Sequence, residues 1–161
     1  NDRLPPKLTL SRGNALAIKD VFDPDFKAIS SAEELLLSGK EANGDFSDIF
    51  PYPVDFEFMQ YGQESYNIFC ITCHGVAGDG NGVTKPYGIL ATSYHDDRLR
   101  TAPDGYIYDV ITNGKGLMYG LKDRLSVKQR WAIVLYLRAL QRSQNAPLEL
   151  LSTTEKSELG L

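Results

Sequence analysis

One pentapeptide, Cys70-Ile71-Thr72-Cys73-His74, constrains this 161-residue chain more than any other feature. Two cysteines three positions apart, followed at once by histidine, form the C-x-x-C-H motif of c-type haem attachment. At the end of a helix, both thiols can form thioethers to the two vinyl groups of one haem, and the imidazole then lies beneath the ring with a nitrogen directed at the iron. The motif therefore predicts one covalent haem c on Cys70 and Cys73, with His74 as the proximal iron ligand.

Other chemistries also use closely spaced cysteines, and the sequence disfavours them. A thioredoxin-like redox pair lies after a strand at the head of a helix in a βαβ unit, and no such pattern surrounds Cys70. A structural zinc site needs four ligands. The chain offers only two cysteines and two histidines, and the direct succession of Cys73 and His74 makes a closed tetrahedron awkward. Two cysteines are also too few for a disulfide framework.

The second iron ligand must approach from the opposite side of the haem, and in electron-transfer cytochromes c it is usually methionine. Met118 lies in a glycine-rich segment (NGKGLMYG, residues 113–120), whose glycines permit close backbone approach. Its separation from His74 (118 − 74 = 44 residues) lets the chain return on the other face. Met59 falls in a predicted helix and is interpreted as core filler. His95 is the rival ligand, although a lone loop histidine is more often exposed or hydrogen-bonded.

The groups around the haem have candidates of their own. A metal-bound histidine donates its other ring N–H to an acceptor, and the carbonyl of Pro86, twelve residues after His74, is the predicted one. The glycine-rich loop between them, residues 75–82, is expected to follow the haem edge; it matches neither a P-loop nor an EF-hand. Propionates need donors, and the candidates by residue type are Tyr94, Arg98, Arg100 and Trp131. The two arginines are equally well interpreted as surface residues, and Tyr94 and Trp131 as core aromatic residues.

Hydrophobic periodicity predicts a mostly helical domain. The first helix carries Gly62 on its apolar face, where a close crossing by another helix would explain a residue that costs about 1 kcal/mol relative to Ala. The last helix begins with a capping-box pattern of Ser126 and Gln129 and is apolar nearly all round. No stretch alternates convincingly between apolar and polar residues. The three predicted helices are Phe56–Phe69, Pro103–Thr112 and Val127–Arg142.

The domain boundaries follow from composition and prolines. Residues 54–145 are predicted to form the all-α haem domain, in which the first and last helices cross and the second flanks the haem. Residues 1–53 have mixed polarity and little periodicity, with one short helix predicted over Ser31–Ser38. They are predicted to form an extended arm on a surface or a partner, with a flexible tail as the equal alternative. Residues 146–161 are a polar tail with a short apolar patch.

Charge and hydropathy argue against a nucleic-acid-binding protein and against a membrane-spanning one. The net charge of −4 argues against a nucleic-acid partner, because phosphate binding needs clustered Lys and Arg. The longest apolar run, Trp131–Leu137, is far shorter than the roughly 20 residues that cross a bilayer. No signal-peptide pattern opens the chain. The sequence is therefore expected to lack a transmembrane span of its own.

Several stretches resemble a known family. In order and spacing they are similar to class I mono-haem cytochromes c, and most of all to the mono-haem cytochrome c subunit of bacterial alternative complex III, a quinol-oxidising respiratory membrane complex. The resemblance implies the class I cytochrome c fold and single-electron transfer without catalytic residues. The matching stretches are 62–75 (GQESYNIFCITCHG), 78–82 (GDGNG), 93–100 (SYHDDRLR), 109–118 (DVITNGKGLM) and 130–144 (RWAIVLYLRALQRSQ).

The resemblance also implies a location and partners. It implies a periplasmic protein, associated peripherally with the cytoplasmic membrane through other subunits of the complex. Electrons would enter from a haem or Fe–S subunit and leave toward a terminal oxidase or a soluble cytochrome. In that family a lipid-bearing Cys often begins the mature chain and a Pro often follows the ligand Met, whereas this sequence has Asn1 and Tyr119. The alternatives are a free periplasmic shuttle and a haem sensor or enzyme with an open sixth position.

Overall fold

A computed structural model describes residues 31–144, 149, 151–158 and 160. These residues belong to one compact unit that begins at Ser31. The described part is mostly helical, with only two short strands, so the predicted all-α class is confirmed. Its longer helices are α1 (Ser31–Ser38), α2 (Phe56–Phe69), α5 (Asp104–Asn113) and α6 (Val127–Gln144). The shorter elements are α3 (Ile71–His74), a 3₁₀ turn (Lys85–Tyr87), α4 (Asp97–Arg100), β1 (Gly114–Lys115), β2 (Met118–Tyr119) and α7 (Thr153–Glu158).

The helix ends agree with the capping chemistry in the sequence. The side chain of Asp55 accepts a hydrogen bond from the backbone N–H of Phe58 at 2.7 Å, which satisfies one of the unpaired amides of the first turn of α2. At the start of α6, the N–H of Ser126 donates to Gln129 Oε1 (3.0 Å) and the N–H of Gln129 donates to Ser126 Oγ (3.2 Å). The predicted capping box is therefore confirmed.

Helices α2 and α6 cross with their backbones in contact at Gly62. A Cβ on Gly62 would overlap the carbonyl oxygen of Ala132 and come within 3.2 Å of the Cβ of Tyr136. No other residue type fits this position without moving one of the helices. The predicted crossing is confirmed, and it explains why a poor helix former lies in the middle of α2.

The core forms where α5, α6 and the start of α2 meet. Trp131 and Tyr108 are both fully buried and stack with ring centroids 4.3 Å apart. The ring of Phe50 packs edge-on against Trp131 at 5.5 Å. The indole N–H of Trp131 donates to the carbonyl of Leu36 at 2.8 Å, so the polar group of this buried side chain is satisfied.

Residues 31–53 differ from the predicted extended arm. Phe46 packs edge-on against Tyr106, and Tyr52 stacks on Phe58 at 5.0 Å. These aromatic residues are spaced irregularly, so they produce no periodic pattern, yet their half-buried rings pack against the helices. The segment is thus part of the domain, and the observed boundary lies at Ser31 rather than at residue 54. Residues 1–30 lie outside the described residues.

Arg138 of α6 holds the segment that leads into α5. Its Nε forms an ion pair with Asp104 Oδ1 at 2.6 Å, and its Nη1 donates to the carbonyl of Leu99 (3.2 Å) and to Gln141 Oε1 (2.8 Å). Its Nη2 donates to the carbonyl of Ala102. One planar guanidinium therefore ties the start of α5 to α6.

Replacing Phe50 by Ala tests whether residues 31–53 belong to the domain. Phe50 contacts Phe58 and Trp131 in the core, so we expect Phe50→Ala to lower the free energy of unfolding by about 3 kcal/mol. The adjacent Ile49 is 59% exposed, and Ile49→Ala serves as the matched control with an expected change below about 0.5 kcal/mol. Both values come from denaturant unfolding of the natively matured protein. Equal, small effects of the two changes would contradict the assignment.

Candidate cofactor site

The C-x-x-C-H residues lie in one helical turn at the end of α2. The N–H of Cys70 still donates to the carbonyl of Tyr66 (2.8 Å) as the last hydrogen bond of α2, and the N–H of His74 donates to the carbonyl of Cys70 (2.9 Å). The chain then leaves the helix at Gly75, whose φ of 80° is favourable only for glycine. This local geometry brings both thiols and the imidazole together without any contact that is distant in sequence.

Both cysteines are thiols rather than a disulfide. Cys70 is buried and Cys73 is half-buried. Burial, and secondarily the neighbouring Cys73, raises the pKa of the Cys70 thiol to about 12. The thiol of Cys70 is therefore protonated near neutral pH.

His74 is half-buried and its imidazole has neighbours on two sides. Its ring stacks on Tyr94 with centroids 4.5 Å apart. Its Nδ1 lies 3.4 Å from the carbonyl oxygen of Thr92, to which a protonated Nδ1 donates. Burial lowers the pKa of His74, and the contact with Thr92 opposes that shift. The imidazole is thus neutral near pH 7, with its other nitrogen available as a ligand.

The acceptor beside His74 is the carbonyl of Thr92 and not the predicted carbonyl of Pro86. The chain after residue 82 turns back along the motif, where the hydroxyl of Thr84 donates to the carbonyl of Thr72 at 3.1 Å. Pro86 then falls in the exposed 3₁₀ turn. A backbone carbonyl can come from any residue type, so the sequence contained no side-chain signal for Thr92.

The loop at residues 75–82 closes tightly against the motif. The hydroxyl of Tyr66 donates to the carbonyl of Gly75 at 2.7 Å, and the N–H of Gly80 donates to the carbonyl of His74 at 2.9 Å. A Cβ on Gly78 would lie only 2.7 Å from the ring of Tyr94. The glycines are therefore needed for close approach, and the loop holds Tyr94 beside His74.

Met118 lies on a β-hairpin, where the sequence predicted a glycine-rich loop. β1 and β2 pair antiparallel with Lys115 opposite Met118. Met118 is half-buried, but the flanking Leu117 is 95% exposed and Tyr119 is 90% exposed. Met59 packs against the core, which confirms its interpretation as core filler.

His95 and Trp131 make contacts that their proposed roles did not include. The Nε2 of His95 lies 2.7 Å from the carbonyl oxygen of Ala77, so this nitrogen is engaged by the loop that follows the motif. Trp131 is fully buried and its N–H is used by Leu36. Its alternative interpretation as a core aromatic residue therefore applies, and a propionate contact to its N–H does not fit this structure.

The two candidate arginines are on the surface. Arg98 Nη1 donates to the hydroxyl of Tyr106 at 3.4 Å, and Lys115 Nζ donates to the same hydroxyl at 2.9 Å. These two contacts, that of Lys115 first, lower the pKa of Tyr106. Arg100 pairs with Asp97 at 3.3 Å. Lys115 was not among the sequence candidates, because nothing in its local sequence indicates a contact with a residue of the preceding helix.

The residues present fit a haem. Two thiols and a neutral imidazole lie in one helical turn. This arrangement matches a haem that is held by two sulfur-to-carbon bonds and one nitrogen-to-iron bond. Apolar side chains are unusually exposed in the segments after the motif and beside Met118, and a large apolar ligand would cover such surface. These exposed residues are Val76, Val83, Tyr87, Ile89, Leu90 and Leu117.

Residues 58–137 match the model of the protein family described as cytochrome C oxidase, cbb3-type, subunit III. No curated protein matches the chain. Among the helices of the described residues, none is long and apolar enough to cross a membrane.

The solved structures that are similar to the chain include three with the following features. The KustC0563 c-type cytochrome is 27% identical with a TM-score of 0.44, over 50% of this chain and 96% of its own. The Kuenenia stuttgartiensis reducing HAO-like protein complex Kustc0457/Kustc0458 is 19% identical with a TM-score of 0.49, over 66% and 54%. Cytochrome CL from the marine methylotrophic bacterium Methylophaga aminisulfidivorans MPT is 19% identical with a TM-score of 0.44, over 73% and 70%.

The assignment rests on the sequence match, since these TM-scores are low. The matched residues include all of the C-x-x-C-H turn, the hairpin and most of α6. Residues 58–137 therefore form a cytochrome c domain of the cbb3 type, which binds haem c covalently and transfers electrons.

Proposed function

We propose that this domain carries one haem c on Cys70 and Cys73, ligated by His74 and Met118, and transfers single electrons as a subunit of a quinol-oxidising respiratory membrane complex. The observation that carries the haem assignment is the single helical turn that presents both thiols and a neutral imidazole. The bound haem would supply a one-electron Fe(III)/Fe(II) couple. The chain contributes attachment, orientation and exclusion of water.

The proximal side is supported by contacts that orient His74. Thr92 accepts from Nδ1, which sets the tautomer and leaves Nε2 for the iron. Tyr94 stacks on the ring and limits its rotation. The hydrogen bond of Tyr66 to Gly75 holds the chain where it leaves the motif. Together these contacts restrict the imidazole to a narrow range of positions.

The distal side is supported by the hairpin of Met118. The thioether of methionine is a weak, soft ligand, and His/Met ligation with an apolar surround keeps the reduction potential of a haem high. Met118 is half-buried, whereas the residues directly before and after it in the chain are almost fully exposed. For the propionates, Tyr94, Arg98 and Arg100 remain our candidate donors.

Membership of a membrane complex is supported by the resemblance of the sequence and by exposed apolar residues near the start of α2. Phe56 is 78% exposed and Val54 is 63% exposed. Exposed apolar side chains close together indicate a contact surface for another protein. Such a complex would place the domain in the periplasm, at the surface of the cytoplasmic membrane.

We expect the protein to be recovered with its complex. Solubilised with mild detergent from its native membranes and captured through a tag, the chain should bring down membrane subunits in fixed ratio. A second capture of the same chain from the soluble periplasmic fraction is the control. Recovery of all the protein alone in the soluble fraction would contradict complex membership and favour a free electron shuttle.

We expect Met118→Ala to abolish the sulfur-to-iron charge-transfer band of the Fe(III) protein and to lower its midpoint potential, because the distal thioether is lost. Met59→Ala is the matched control, since Met59 packs against the core, and should leave the band intact. The optical spectrum and a redox titration measure both effects. An unchanged band in Met118→Ala would exclude Met118 as a ligand. High-spin iron in the unaltered protein would favour an open sixth position.

We expect Cys70→Ser combined with Cys73→Ser to yield a chain without covalent haem, because serine forms no thioether. Mass spectrometry and haem staining after denaturing electrophoresis report the attachment. Thr72 lies between the two cysteines at an exposed position. Thr72→Ala is therefore the control and should retain the haem. Haem that stays attached to the double variant under denaturing conditions would defeat the assignment.

A further inference from the structure

Arg130, near the start of α6, is a buried cation. The residue is only 6% exposed to solvent. Within the part of the chain that the structure describes, no carboxylate forms an ion pair with it. Burial lowers the pKa of Arg130 from its usual value, although arginine stays charged near neutral pH. A buried charge without a counter-charge is costly, so its position calls for an explanation.

The guanidinium of Arg130 is bound to the last turns of α5. Its Nη1 donates to Thr112 Oγ1 at 2.5 Å, and its central carbon lies 4.9 Å from the ring centroid of Tyr108. Thr112 Oγ1 in turn donates to the carbonyl of Tyr108 at 2.7 Å. The carbonyl end of a helix carries partial negative charge, which compensates part of the charge of the arginine. Arg130 thus connects α6 to the end of α5.

The same turn of α5 is the base of the hairpin that carries Met118. The hairpin begins at Gly114, directly after α5. When the chain returns, the N–H of Leu121 donates to the carbonyl of Ile111 at 2.8 Å, and the N–H of Lys122 donates to the carbonyl of Thr112 at 3.3 Å. Both ends of the hairpin are therefore attached to the turn that Arg130 binds.

Close packing supports the same attachment. A Cβ on Gly120 would overlap the carbonyl oxygen of Thr112 and would lie 2.7 Å from the carbonyl carbon of Asn113. The Nε of Arg130 and the hydroxyl of Tyr108 are buried without hydrogen-bond partners among the described residues. Arg130 is therefore held by its bond to Thr112 and by the ring of Tyr108, and Thr112 is also the residue on which the end of the hairpin packs.

We propose that Arg130 is a positioning residue for the distal iron ligand: by anchoring the end of α5 to α6, it keeps the hairpin in the place where Met118 reaches the iron. This inference rests on the proposed His74/Met118 ligation. Without the anchor, the hairpin leaves the iron more readily. Hydroxide or another ligand then displaces the thioether at lower pH.

The test follows the sulfur-to-iron band of the Fe(III) protein with rising pH. We expect Arg130→Met to lose the band at a hydroxide concentration at least tenfold lower than the concentration at which the unaltered protein loses it. Arg130→Lys keeps the charge but not the planar fork, and should fall between the two. Arg124→Gln is the matched control, because Arg124 is an exposed arginine in the connection between the hairpin and α6. It should behave like the unaltered protein.

A second variant approaches the contact from its other side. Thr112→Val removes the acceptor oxygen while keeping the shape of the side chain, and should also lower the pH at which the band is lost. It provides the decisive measurement if Arg130→Met does not fold. Band loss at unchanged pH in Arg130→Met, or in Thr112→Val, would overturn the inference even if thermal stability falls. A band missing from the unaltered protein would instead overturn the proposed ligation itself.

Discussion

The backbone contact between α2 and α6 at Gly62 is the constraint on which the remaining structure depends. Because the helices touch at the carbonyl of Ala132, their relative position is set by main-chain atoms, which cannot adjust as a side chain can. The end of α2 becomes the turn of the cofactor motif, and the start of α6 carries Arg130 and Trp131. One contact thereby positions both the C-x-x-C-H turn and the helix to which, in our proposal, the hairpin of Met118 is anchored.

The two sides of the site are held in different ways. On the proximal side, Cys70, Cys73 and His74 lie within five residues of chain, and the supporting bond from Tyr66 to Gly75 spans nine residues. On the proposed distal side, the hairpin of Met118 is bonded to the end of α5, which Arg130 of α6 contacts. Local hydrogen bonds form in any context that preserves the helix, whereas the distal arrangement requires the packed domain. The turn itself is thus formed locally, whereas the orientation of the His74 ring also depends on Thr92 and Tyr94, which come later in the chain.

The parts of the fold that could be predicted are those in which cause and effect lie close together in the chain. The bounds of α2, the capping box of Ser126 and Gln129 and the close crossing at Gly62 all follow from helical periodicity and from residue-specific backbone chemistry. The packing of residues 31–53 could not be predicted, because Phe46 and Phe50 are apolar without any period. Their partners Tyr106 and Trp131 lie far away in sequence.

The sequence by itself determined the chemistry of this protein: a C-x-x-C-H turn on a helix specifies covalent haem through residue types and spacing alone. It also determined the helical class, since the periodicity of apolar residues is a local property. The tertiary structure alone decided that Thr92 lies beside His74, that the N–H of Trp131 is used by Leu36, and that the end of α5 is tied to α6. Those contacts join backbone or buried groups that are far apart in the chain. The type of a residue does not indicate which distant carbonyl or ring it will contact.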